Sequence, residues 1–286
     1  MPKSTSPSQQ GVELAARFRA KHKLGVGPVD DINDLMKLVE ADFIVLDLPE
    51  DLEALTLRDP GSGALTVGIG TSNNPFRQRL TIAHEIGHIV AGDITEDGAS
   101  LQCDKTLPNE TRANTFARCV LCPEEALREI PQYEDPEELL SAVVQRFQVS
   151  PYVAAIQLHQ AGLISKDTKE ELKSHTAKKL ASRFGWKATY DHACQIAQLP
   201  RASERLVADA YKAYAQGLIA LPTVAFAEQV SPEEVADSMY AVPGSVGQNL
   251  TGQRDIETDL EDFFSNSWAM TNSTCLLQST TRYTES

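Results

Sequence analysis

The hydrophobic pattern of the first 70 residues changes from a helical period to short β-like runs. Apolar residues recur at helical spacing in the first stretch, and Asp30 or Asp31 suits the N-terminal cap of a second short helix. The turn sequence between Asp59 and Gly63 separates two runs of β-forming residues, which predicts a hairpin in a small, largely antiparallel sheet. The predicted elements are helices at 9–22 and from about residue 30, and strands at 43–48, 53–58 and 64–69.

Longer helices are predicted from residue 75 onward. Between Pro75 and Ala91 apolar residues fill two adjoining stripes, which is typical of a buried helix, and Gly92 is a stop signal. A further helix is predicted from Pro108 to Cys122. Residues 136–163 indicate two helices joined by a tight turn.

The run His84-Glu-Ile-Gly-His88 carries the clearest chemistry in the chain. Two histidines four residues apart lie on one face of a helix, where both imidazoles can bind one zinc ion. We predict Glu85 as the general base and acid, because it can reach water on the metal rather than the metal itself. Gly87 costs about 1 kcal/mol relative to alanine inside a helix, which indicates close packing against another element. The alternative is an ordinary pair of helical histidines beside a surface glutamate.

A catalytic zinc ion needs a third protein ligand and one open position. Glu110 falls early on a predicted helix that can cross the first one, although an ordinary first-turn acid also occurs there because the helix dipole stabilises it. We predict that Asp93, which is close in sequence to the histidines, instead hydrogen-bonds a ligand imidazole. The candidates for the third ligand are Asp93, Glu96, Asp97, Cys103, Asp104 and Glu110, with Glu110 the best placed.

Two segments resemble the ImmA/IrrE metallopeptidase family. The first runs from Asn74 to His88, and the second, Glu110-Thr-Arg-Ala-Asn-Thr-Phe-Ala-Arg-Cys-Val-Leu-Cys-Pro123, is similar to the family's E-x-x-A-N-x-F-A-x-x-L-L-x-P segment. The resemblance covers about residues 10–165. It implies one zinc ion held by His84, His88 and Glu110, and an enzyme that cleaves a partner transcriptional repressor, often under stress.

The fold class that we expect is α+β, with a zincin-like N-terminal domain, a small sheet packed on helices, followed by a helical C-terminal module. The predicted divisions are a flexible N-terminus at 1–8, the metallopeptidase domain at 9–130, a helix-turn-helix-like segment at 131–165, a helical module at 166–243 and a polar, partly disordered tail at 244–286. We expect the strand at 64–70 to be the exposed sheet edge that an extended substrate joins.

The composition narrows the choice of partners. The net charge of −14 argues against a dedicated nucleic-acid binder, because phosphate contacts need Lys and Arg. The second helix of the 136–163 segment, from Ser150 to Gly162, has no Lys or Arg, so we expect direct DNA binding to be absent.

With no apolar run long enough for a membrane span and five scattered cysteines, we expect a cytoplasmic protein. Cys119 and Cys122 have the spacing of a zinc or redox pair, but we favour helix packing because no matching pair follows.

The predicted function is a zinc endopeptidase that cuts a regulatory protein in a stress or mobile-element response. Because no DNA-binding segment precedes the peptidase motifs, we expect a repressor substrate to be a separate chain. The alternative is a non-catalytic regulator that binds protein or DNA through its C-terminal helices, with a structural zinc. The presence of Glu85 favours the enzyme, since a structural site needs no base.

Overall fold

The computed structural model describes residues 5–49, 52–59, 61–94, 99–100, 107–131 and 133–240. The chain divides into two compact units, 1–206 and 207–286. The predicted tail at 244–286 lies outside the described residues. The division of the chain into five segments remains a prediction. The ligand candidates Glu96, Asp97, Cys103 and Asp104 also lie outside the described part.

The fold class is α+β, as predicted, with many helices and one small sheet. The elements are α1 (Pro7–Lys21), α2 (Ile32–Leu38), β1 (Ala41–Leu46), β2 (Ala54–Arg58), β3 (Leu65–Gly70), α3 (Pro75–Ala91), β4 (Ala99–Ser100), α4 (Pro108–Leu121), α5 (Glu124–Leu127), α6 (Pro136–Phe147), α7 (Pro151–Gln160), α8 (Lys166–Leu172), α9 (Ala177–Arg183), α10 (Lys187–Ala197), α11 (Glu204–Ala215), α12 (Leu221–Glu228) and α13 (Pro232–Tyr240). None of these helices, within the residues described, is long and apolar enough to cross a membrane.

Local sequence sets the bounds of α3, the helix that carries the histidine motif. Asn74 caps its first turn by accepting a hydrogen bond from the backbone N–H of Arg77, and Pro75 occupies the first helical position. At the other end Gly92 adopts a left-handed conformation, with φ 75°, and ends the helix. The predicted bounds of this helix are therefore confirmed.

The sheet has the strand order β1-β3-β2-β4. β2 and β3 form the predicted antiparallel hairpin, and β1 pairs with β3 in parallel. The prediction that the strand at 64–70 is an exposed edge is wrong, because β3 lies between β1 and β2. Which strand lies at the edge depends on the crossover that brings β1 beside β3, and the pattern of a single strand does not encode it.

A later segment of the chain covers the outer side of β1. Val45 exchanges backbone hydrogen bonds with Arg201, with N···O distances of 2.8 and 3.0 Å. Ser72 donates its backbone N–H to the Ala197 carbonyl at 2.9 Å. The segment around residues 197–201 thus contacts this edge of the sheet and pairs with β1 at one position, Val45.

The core of the first unit is centred on α1, α3 and α4. Phe18 and Phe116 meet edge to face at 5.6 Å in this core. The same cluster of buried apolar side chains continues through α6, α7, α8 and α9 to Trp186 and Tyr190. The helices after the peptidase motifs therefore share one core with α3, the helix of the metal motif.

The second unit has a small core of its own. Val224, Ala225 and Val235, from α12 and α13, are at most 1% exposed. The turn between α12 and α13 repeats the sequence Gln-Val-Ser-Pro of the α6–α7 turn, and Gln148 and Gln229 both have a left-handed φ, 52° and 62°. The same turn sequence, with the same left-handed glutamine, thus connects the helices in both pairs.

Candidate metal centre

His84, His88 and Glu110 converge at the crossing of α3 and α4. The Nε2 atoms of the two histidines are 3.0 Å apart. The Glu110 carboxylate oxygens lie 3.2 Å from Nε2 of His84 and 3.1 Å from Nε2 of His88. All three side chains are buried, and the group could hold a metal ion.

The second nitrogen of each imidazole faces an oxygen atom. Nδ1 of His84 lies 3.0 Å from Oδ1 of Asn114, and Nδ1 of His88 lies 2.9 Å from Oδ2 of Asp93. When Nδ1 donates to these oxygens, each Nε2 is left to face Glu110, where its lone pair can take up a metal ion or a proton. The predicted role of Asp93, a hydrogen bond to a ligand imidazole, agrees with this contact.

Lone pairs on two nitrogens and two carboxylate oxygens therefore face one another across about 3 Å. Such a set of acceptors repels itself unless a metal cation or a proton lies between them. Tetrahedral zinc with bonds of ~2.0–2.1 Å places its ligand atoms about 3.3 Å apart, close to the separations found here. The residues present thus fit a small divalent cation bound by nitrogen and oxygen.

Two small residues bring α4 close enough to aim Glu110 at the histidines. A Cβ atom on Gly87 would lie 3.0 Å from Phe116 Cδ1 and 3.2 Å from Ala113 Cα, so the glycine lets the helices approach. A Cβ atom on Gly11 of α1 would lie closer still to the α4 backbone, 2.5 Å from the Arg112 carbonyl oxygen. The close packing predicted for Gly87 is therefore present, and it sets the position of the Glu110 carboxylate.

The environment of Glu110 favours the charged form of its carboxyl group. Burial raises the pKa of this group, but the hydrogen bond with His84 and the charges of the two histidines outweigh burial and lower the pKa below its usual value. A carboxylate rather than a carboxylic acid is the form that binds a cation.

The side chain of Glu85 contacts the sheet. Its side chain is 1% exposed, and Oε2 accepts a hydrogen bond of 2.7 Å from the Thr56 hydroxyl group of β2. Thr56 is not predictable from the sequence, because nothing in a strand pattern shows which helix its side chains face. Strand β2 thereby helps to hold the Glu85 carboxylate in place.

The cysteine pair of α4 is separate from this centre. Cys119 and Cys122 are buried, and burial raises the pKa of the Cys119 thiol to about 11 and that of Cys122 further above its usual value. Metal binding needs thiolates. Within the described ranges, only His84, His88 and Glu110 come together as a group of three ligand side chains.

Comparison with known families agrees with the site geometry. Residues 44–159 match the model of the IrrE N-terminal-like domain, Peptidase_M78, and this range includes every residue of the group. No curated protein matches the chain. The ImmA/IrrE resemblance of the two motifs is thereby confirmed.

Proposed function

We propose that this chain, whose residues 44–159 match the IrrE N-terminal-like peptidase domain, is a zinc-dependent endopeptidase. Its substrate is a regulatory protein, a transcriptional repressor supplied as a separate chain, in a stress or mobile-element response. The observation that carries this proposal is the convergence of two imidazoles and one carboxylate beside a buried glutamate.

In this proposal His84, His88 and Glu110 hold one zinc ion. When bound, zinc supplies Lewis acidity, which lowers the pKa of water and polarises a carbonyl group. The hydrogen bonds between Nδ1 and the oxygens of Asn114 and Asp93 orient both imidazoles as ligands.

Glu85 moves the proton in the proposed reaction. Its carboxylate accepts a proton from the attacking water and later delivers it to the amine that leaves the cleaved peptide bond. Thr56 donates a hydrogen bond of 2.7 Å to one oxygen of this carboxylate and so restrains it. Burial of Glu85 excludes bulk water, which strengthens these short-range interactions.

The alternative function is a regulator with a structural zinc. A buried carboxylate beside a metal carries a desolvation cost, which a structural site has no reason to bear. The Thr56–Glu85 hydrogen bond therefore supports the enzyme. The absence of Lys and Arg from 151–162, on the second helix of the helix-turn-helix-like segment, counts against direct DNA contact.

Capture of the substrate by Glu85→Gln tests the proposal. This variant keeps the metal ligands and removes the base, so it should retain a repressor that the unaltered enzyme, loaded with zinc, cuts at one site found by mass spectrometry. The control Glu13→Gln, on the exposed face of α1, should cleave that protein at the normal rate. Equal cleavage by Glu85→Gln, or captured proteins that the enzyme leaves intact, would contradict the proposal.

A further inference from the structure

Arg112 and Asp93 form an ion pair between the two helices that carry the candidate ligands. Arg112 lies two residues after Glu110 on α4, and Asp93 follows the glycine that ends α3. One terminal nitrogen of Arg112 donates to Oδ1 of Asp93. The other carboxylate oxygen of Asp93, Oδ2, accepts from Nδ1 of His88 at 2.9 Å.

The backbone after α3 returns Asp93 toward the histidine. Because Gly92 has φ 75°, the chain reverses and the Asp93 backbone N–H donates to the His88 carbonyl at 3.0 Å. Asp93 is thus held to His88 through its backbone and its side chain. Its remaining freedom is rotation of the carboxylate, which Arg112 restricts.

The ion pair is shielded from solvent and has a further anchor. The side chains of Arg112 and Asp93 are 23% and 15% exposed, so water and salt screen the pair less than a surface pair. The second terminal nitrogen of Arg112 lies 3.4 Å from Oε1 of Gln10 on α1. The guanidinium group therefore lies between α1, α4 and the end of α3.

We infer that Arg112 is a positioning residue for the metal centre. By fixing the Asp93 carboxylate, it holds the His88 ring with Nε2 toward Glu110, and it ties the end of one ligand-bearing helix to the other. This inference rests on the proposed zinc site and goes beyond it, since Arg112 touches neither the metal ligands nor the base. Mutation of residues that orient a ligand imidazole typically lowers the metal affinity by 10–100-fold.

The test compares Arg112→Met with Arg112→Lys in the full-length chain. Methionine keeps the apolar stem and removes the charge, whereas lysine keeps the charge without the planar fork of donors. Arg77→Met is the matched control, because Arg77 is also on a ligand-bearing helix and pairs with a carboxylate, that of Glu53, at the surface. Zinc affinity is measured by competition with a chromophoric chelator, and the ligand field by the visible spectrum of the cobalt-substituted protein.

Arg112→Met should bind zinc about 10–100-fold more weakly and alter the cobalt spectrum, with Arg112→Lys between it and the unaltered chain. Arg77→Met should leave affinity and spectrum unchanged. If Arg112→Met lowers only the melting temperature of the metal-free protein, the ion pair is merely structural and the inference fails. Neither readout requires cleavage, so the effect of Arg112 on zinc binding can be established even if the chain shows no peptidase activity. If the unaltered chain binds no zinc, the proposed zinc site is itself wrong.

Discussion

At the scale of single residues, the site contains candidate metal ligands and a second set of side chains that orient these ligands and Glu85. Asn114 and Asp93 hold the imidazoles, and Thr56 holds Glu85. The orienting residues come from α4, from the loop after α3 and from β2. Substitutions of these residues should therefore alter chemistry while the ligand set stays intact.

Thr56→Val should slow peptide cleavage at least tenfold while the zinc content stays at the normal level. The variant removes a hydrogen bond to a charged group, worth ~1.5–3 kcal/mol, and frees the carboxylate to rotate. Thr56→Ser keeps the hydroxyl group and should restore most of the rate. The measurement is the cleavage rate of the captured substrate at matched zinc occupancy, and equal rates for valine and serine would show that the hydroxyl group has no part in catalysis.

The residues found from the sequence and those missed differ in how far their contacts reach. His84, Glu85 and His88 follow from the helical period alone, because four residues make about one turn. Spacing alone left Glu110 as one of six candidates, since its position depends on how α4 crosses α3. Thr56 was not predictable, because its contact with Glu85 joins a strand and a helix 29 positions apart in sequence.

At the scale of elements, close contacts between helices set the geometry of the site. A Cβ on Gly11 would lie 2.5 Å from the Arg112 carbonyl oxygen and 2.7 Å from Thr115 Cβ. α1 therefore presses directly on the turn of α4 that follows Glu110. The helical period predicted both helices, but their closest approach depends on glycines whose partners are distant in sequence.

Gly11→Ala should destabilise the protein by about 1–3 kcal/mol, because the new methyl group overlaps the backbone of α4. Gly27→Ala is the matched control, since nothing lies within 4 Å of a Cβ there. Thermal unfolding of the metal-free proteins measures the difference. A Gly11→Ala variant as stable as the Gly27→Ala variant would mean that α1 and α4 are less closely packed than described.

The cysteine pair of α4 should be unreactive in the folded protein. Cys119 and Cys122 are 7% and 0% exposed, and burial keeps both thiols protonated at neutral pH, so a thiol reagent meets neither a thiolate nor an open path. Mass spectrometry after alkylation should find both unmodified until a denaturant is added. Rapid labelling of the native chain, or its suppression by zinc, would favour a reactive or metal-binding pair.

At the scale of the whole molecule, the helices after the peptidase motifs belong to the same core as the metal helix. Leu172, Leu180, Trp186 and Tyr190 are buried in the cluster that contains Phe116. The edge of β1 is closed by the pairing of Val45 with residue 201. The division predicted near residue 165 marks the end of the family resemblance in the sequence. The first compact unit of the structure extends further, to residue 206.

A chain ending at residue 206 should fold and bind zinc, whereas one ending at residue 165 should not. The shorter chain loses several large buried side chains, each worth ~1.5–3 kcal/mol, which together approach the whole stability of a typical domain. Circular dichroism and zinc content of the two fragments check this. A stable, zinc-binding 1–165 fragment would show that the later helices are dispensable for the fold.

The most direct test of the central claim is the anomalous scattering at the zinc absorption edge from crystals of the zinc-loaded chain. A single zinc peak should lie about 2.0–2.2 Å from Nε2 of His84, Nε2 of His88 and a carboxylate oxygen of Glu110. A peak beside Cys119 and Cys122 instead, or a Glu110 carboxylate turned away from the zinc, would contradict the account.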